Sequence, residues 1–361
     1  MKAKEKNMSK HLFGLIVTPY GPAANNRGEN DGNITTLQKL LWKGDVHTTV
    51  SAEAIRWALR YFWEKNGDKV NRQWNEEKYD HQWRDTSWAP WTSNDAEAKN
   101  KPTFIDDDVM GFMLAEAAST DGSDAVDVLK DDKKKLDVQF KAMSKDQKKS
   151  ESGKNLQQQI GEVKARIDAL SKGKTDKRRG ALEVTRAISL SPFAGDITFN
   201  AKSGEKTNTS LYGTEVHATR YQYGIALTPN LLRERSRVLN VLDALISLGE
   251  VGGNHSRFLF DFSPDSVVFR WTDDFAPRML YGFEMDAKGN VSFPALLQKI
   301  KDGDMDVKEL FIGGSIVHSL DEETKKQLSG ATISNGGKAG VKGAAEALKK
   351  QIETDLNLEA A

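Results

Sequence analysis

Residues 44–63 read Gly44-Asp-Val-His-Thr-Thr-Val-Ser-Ala-Glu-Ala-Ile-Arg-Trp-Ala-Leu-Arg-Tyr-Phe-Trp63, and the fold turns on the change of period inside them. Val46 to Val50 is a short β-prone run. Ser51 then offers an N-cap oxygen, and Ile55, Leu59 and Phe62 form the apolar stripe of an amphipathic helix. Arg56 and Arg60 stand four residues apart on that helix, about 40° around its axis, so both guanidinium groups project the same way.

Working outward, His11 to Thr18 is a continuous apolar run of strand length. Leu12 and Ile16 belong to one of its faces and Phe13, Leu15 and Val17 to the other, which predicts a strand covered on both sides. Pro19 to Gly32 is a Gly-, Pro- and Asn-rich loop. Residues 64–117 lose periodicity and hold Trp74, Trp83, Trp88 and Trp91, read as packing anchors of an irregular region. Asp106-Asp107-Asp108 precedes an apolar run and is placed to stabilise a helix N-terminus through the macrodipole. Consecutive aspartates diverge at a helix start, so no metal is expected there.

From Asp121 to Arg179 the chain is lysine-rich and helical in pattern, with Leu156, Ile160, Val163, Ile167 and Leu170 at 3–4 spacing. Strand character returns at Ala187 to Leu190. Residues 195–218 read as a protruding hairpin with a polar, Gly-containing tip. Thr219 to Leu227 alternates, a helix spans about Arg233 to Leu248, and Ser266 to Trp271 is another strand. A last helix is expected from Gly343 to about Asn357. The order strand, helix, strands, helix, strand suits a ferredoxin-like α+β core.

Composition narrows the function. A chain of 361 residues can bury a substantial core, as one large domain with insertions or as two. Zero cysteines exclude disulfides, thiolate metal sites and a cysteine nucleophile, and suit a reducing cytoplasm. No run approaches the roughly 18 apolar residues of a membrane span, and the N-terminus lacks the apolar core of a signal peptide. The net charge is zero, yet residues 130–180 hold 16 Lys/Arg against 8 Asp/Glu. Such asymmetry can build a polyanion-binding surface on a neutral molecule.

Enzyme signatures are poor. There is no phosphate loop of the G-x-x-x-x-G-K-[ST] type, no G-x-S-x-G elbow and no H-E-x-x-H helix, and the six histidines are scattered. The expectation is a protein that is not an enzyme and carries no cofactor or metal. Phosphate binding has positive support: Asn26-Arg27 in a loop, Arg56 and Arg60 on a helix, and Arg257 beside Gly252-Gly253 could line one groove. Arginine forks match phosphate, and paired glycines let backbone N–H groups approach it. Read singly, Arg27 suits a solvated turn and Arg60 a bridge to Glu64 one turn on.

Five segments in this order carry a resemblance: Asn26-Arg27, Val50 to Arg60, Asp106 to Met113, His217 to Tyr223, and Val251-Gly-Gly-Asn-His-Ser-Arg257 with Asp261 to Pro264. Together they resemble the Cas seven family of CRISPR backbone subunits, in its DevR-type branch of type I-B-like systems, within the RAMP superfamily. The resemblance covers most of residues 10–285. It implies a modified ferredoxin-like, RNA-recognition-motif palm (1–63 and 181–328), inserted lysine-rich helical fingers (64–180), a β-hairpin thumb at about 195–218, and a tail with a helix (329–361).

By the same resemblance, copies assemble as a helical filament along the spacer of a guide RNA (crRNA) in a Cascade complex, with bases left to pair with a target DNA strand. The partners implied are the crRNA, the target strand, copies of the same chain and other Cascade subunits, in the cytoplasm and not at a membrane. The implied RNA-binding residues are Asn26, Arg27, Ser51, Arg56, Arg60, His255, Ser256 and Arg257, with Phe199 as the thumb's wedge. Two alternatives stay open: a type III-like RNA-cutting subunit using Asp31 or Glu29 in the first loop, and a stand-alone single-stranded RNA-binding protein.

Overall fold

The computed structural model describes residues 9–115, 121–144, 147–148, 150–171, 175–201, 211–253, 257–333 and 340–358. Its centre is β1 (His11–Val17), which pairs antiparallel with two strands far away in sequence. Around it lie β2 (Asp45–Val50), β3 (Ala187–Ser189), β4 (Tyr221–Leu227), β5 (Ser266–Thr272) and β6 (Leu310–Gly314). Among the described residues they join a nine-stranded sheet in which β6, β5, β1, β4, β3 and β2 are successive neighbours. Neighbours along β5-β1-β4-β3 are all antiparallel.

The two faces of β1 separate as the alternation predicts. Leu12 and Ile16 enter one apolar cluster, and Phe13, Leu15 and Val17 enter another. The first cluster takes in three helices, α1 (Ala52–Lys65), α2 (Arg237–Ile246) and α3 (Val341–Leu356). Ile55, Leu59 and Trp63 of α1 are fully buried there, as are Leu242 and Leu245 of α2. Tyr221, Tyr223, Ile225 and Leu227 share this face of the sheet. The opposite face is closed by Met279, Phe283, Phe293 and Leu296, so neither side offers open aromatic platforms to nucleobases. Residues 294–333 supply β6, the strand Thr332–Ile333 and a helix at Pro294–Lys301.

A second, four-stranded sheet joins the first loop to the hairpin. Arg27–Asp31 pairs with Ile34–Leu37, which runs parallel to Leu211–Glu215, itself paired with Ile197–Ala201. His217–Thr219 belongs to neither sheet; it pairs with Gly21–Ala23. The strand expected from Thr219 therefore begins at Tyr221.

Residues 64–110 pack with this sheet system in one compact unit, and Gly111–Arg179 forms a second. In the second unit, helices Asp121–Ala142 and Glu151–Ser171 lie against each other, and Gly111–Ala115 pairs with Thr175–Arg179. The three aspartates stand in the first turn of a six-residue helix (Ile105–Met110), as expected, and all three are buried. Their carboxylates also tie neighbouring segments together.

Candidate nucleic-acid interface

The first loop, the start of α1 and the double glycine meet at one place. Asn25 donates from Nδ2 to the carbonyl oxygens of Val251 (2.5 Å) and Gly252 (2.8 Å). Gly253 has φ +115°, and a Cβ there would lie 2.6 Å from the Ala24 oxygen and 2.8 Å from the Asn25 Cα. Only glycine allows this approach. Asn26 takes a left-handed conformation (φ +58°) and donates from Nδ2 to Gln38 Oε1 at 2.7 Å and to the Thr49 oxygen at 3.3 Å. Ser51 Oγ donates to Asn26 Oδ1 at 3.3 Å and accepts from the Ala54 N–H as the N-cap of α1.

Arg27 and Arg257 both touch the second sheet. Arg27 is exposed and donates to Thr35 Oγ1 at 3.3 Å. Arg257 donates to Thr198 Oγ1 at 3.3 Å and stacks its guanidinium on Tyr212 (5.5 Å) and Phe258 (5.2 Å). Arg257 Nη1 is buried without a hydrogen-bond partner among the described residues. Phe199, on the same hairpin, is 63% exposed. His255 and Ser256 lie outside the described residues.

Arg56 and Arg60 project the same way, toward the buried aspartates. Arg56 donates to the Met110 oxygen at 2.5 Å, and Arg60 Nε pairs with Asp106 at 3.2 Å. Burial first, and then the Arg60 charge beside it, lowers the affinity of the Arg56 guanidinium for its proton. The Arg60–Glu64 bridge considered from spacing does not form; Glu64 accepts the Trp74 N–H. Asp106 also accepts the N–H groups of Asn71 and Arg72. Asp107 accepts from Trp88 Nε1 and Asn71 Nδ2, and burial followed by the Asp106 charge pushes its carboxyl up to about 7. No cluster among the described residues is arranged to hold a metal ion.

His217 links the hairpin to the central sheet. Its Nε2 donates to the Pro192 oxygen (3.1 Å), so Nδ1 accepts from Thr48 Oγ1 (2.7 Å), which accepts in turn from Tyr221 (2.9 Å). Burial holds the imidazole down at about 4 from the ordinary 6.5. The folded value lies below the unfolded one, so this group's contribution is complete above pH 6.5 and is lost toward pH 4. The expected loss over that window is on the order of 3 kcal/mol. Denaturant unfolding at the two pH values, with His217→Gln as reference, checks it: equal acid sensitivity in both chains would remove His217 as the cause.

Gln38, Thr49 and Arg186 complete the cluster, and sequence reasoning did not find them. Gln38 follows an unremarkable threonine-rich strand, and Arg186 lies 135 positions beyond the helix cap Ser51, so nothing in spacing connects them.

No family model matches the chain. It is 43% identical over 351 residues, 95% of its length, to the CRISPR-associated protein Cas7/Cst2/DevR of Myxococcus xanthus (strain DK1622), covering 99% of that protein. Solved structures of a CRISPR RNA-guided surveillance complex align at TM-score 0.40 and 13% identity, over 84% of this chain and 88% of theirs. A pre-nicking form aligns at the same TM-score and identity, over 81% and 88%.

Proposed function

The chain belongs to the Cas7/Cst2/DevR family of CRISPR-associated proteins, and from that premise we propose that it is the crRNA-binding backbone subunit of a type I surveillance complex. The observation that carries this reading is the meeting of residues 24–26, Ser51 and Gly252-Gly253 through direct hydrogen bonds and a glycine-only contact. It supports a groove that grips phosphates and leaves the letters of the RNA to base pairing. The β5-β1-β4-β3 order supports a modified ferredoxin-like palm, and the hairpin with exposed Phe199 supports a thumb. On this reading Asn26, Arg27, Ser51 and Arg257 face the strand, and the helical segment within 64–180 acts as fingers.

Arg56 and Arg60 serve the RNA in competition with Met110 and Asp106. On this reading the subunit works by binding and not by catalysis. Copies line up along the spacer beside other Cascade subunits in the cytoplasm and present bases to a target DNA strand. No helix among the described residues is long and apolar enough to cross a membrane.

Purification from cells carrying a repeat array, followed by sequencing of bound nucleic acid, tests the proposal. Short repeat-derived RNAs, bound by a number of copies that grows with RNA length, are expected. A stoichiometry of one copy regardless of length would overturn the filament, and the absence of repeat-derived RNA would overturn the assignment.

A further inference from the structure

We infer that Arg186 is a further phosphate-binding residue of this groove and that Gln38 is the side chain that positions it. The inference rests on the RNA-binding reading above and adds two residues to it. Arg186 is exposed immediately before β3, and its carbonyl oxygen accepts the Tyr281 hydroxyl at 2.9 Å, which fixes its backbone. Its Nη1 donates to Gln38 Oε1 at 2.8 Å and to Thr49 Oγ1 at 3.1 Å. The same Gln38 oxygen accepts Asn26 Nδ2 at 2.7 Å. One amide oxygen therefore draws an arginine and an asparagine from segments 160 residues apart to a common point.

Gln38 is itself held on both sides of its backbone. Its N–H donates to the Asn26 oxygen (3.1 Å), and its oxygen accepts the Thr49 N–H (2.9 Å). Its side chain thus starts from a fixed position. The guanidinium of Arg186 is tethered through one nitrogen, and its Nε and Nη2 have no hydrogen-bond partner among the described residues. It makes no ion pair among those residues, whereas Arg60, Arg220, Arg237 and Arg270 are each paired with a carboxylate. An aimed guanidinium that keeps its charge and two free donors matches the two non-bridging oxygens of a phosphodiester. The ligand class is the sugar–phosphate backbone of a single-stranded nucleic acid.

The test is fluorescence anisotropy of the full chain on labelled oligouridine across a salt series. Arg186→Ala is expected to weaken binding roughly tenfold and to reduce the slope of log K against log salt by about 0.7 for each copy bound. Arg186→Lys should retain the slope and lose part of the affinity, since the charge survives without the fork. Gln38→Leu should lower affinity with the slope unchanged, as befits a residue that aims a charge without contributing one. Wild-type affinity and slope in Arg186→Ala would overturn the assignment while leaving the groove intact. Failure of the unaltered chain to bind oligouridine would remove the RNA-binding reading, and this inference with it.

Discussion

Asp108→Ala is expected to destabilise the chain by about 3–5 kcal/mol, through the buried guanidinium it leaves with only the half-exposed Glu234 as counter-charge. Asp108 has no exposed surface, and its Oδ2 receives Arg237 Nη1 at 2.8 Å. The same carboxylate accepts the N–H groups of Arg233 (2.9 Å) and Glu234 (3.1 Å), which fixes the turn entering α2. Arg237 is buried too, and its remaining donors go to Thr103 and Glu234. Truncation would strip a buried guanidinium of its main counter-charge and leave two backbone donors unsatisfied. Urea unfolding measures the effect. Asp108→Ala combined with Arg237→Met should recover part of the loss, because the stranded charge is gone. A change under about 1 kcal/mol in the single variant would show that the carboxylate is not the anchor described.

Gly253→Ala is expected to damage the candidate groove more than any exposed substitution around it. The added methyl would meet the Ala24 carbonyl oxygen at 2.6 Å and the Asn25 Cα at 2.8 Å, both backbone atoms that no rotamer change can move. The φ of +115° is also foreign to alanine. Strain of this kind costs about 1–3 kcal/mol, and its relief must push the glycine loop off residues 24–26. Oligouridine affinity should fall roughly tenfold or more, as expected when about 1.4 kcal/mol of a binding contact is lost. Gly249→Ala is the reference, since nothing lies within 4 Å of a Cβ built there. If Gly253→Ala binds as tightly as Gly249→Ala, the junction of these segments is not part of the binding surface.

Much of the framework was legible in the chain. A strand buried on both faces writes its neighbours into its own alternation, so Leu12 and Ile16 parted from Phe13, Leu15 and Val17 as the period of two requires. Ser51 was readable as a cap because capping depends on residues three apart. The last helix began two residues earlier than its pattern implied, at Val341, within the ordinary scatter of helix ends. The partner of Arg60 was not legible. Spacing proposed Glu64, whereas the guanidinium turned to Asp106, already buried and held by two backbone N–H groups. A desolvated carboxylate outcompetes a half-exposed one for a nearby cation, because the field between buried charges is less screened.

The groove shows the same division. From the sequence alone came its glycines, its asparagine and its cap, each marked by a local conformational need. Folding alone decided that they touch, and that Gln38, Thr49 and Arg186 join them. Local signals report the geometry of a few consecutive residues, but which side chains share a hydrogen bond depends on strands that pair across most of the chain. That pairing is set by burial of the whole sheet, and no short window of residues contains it.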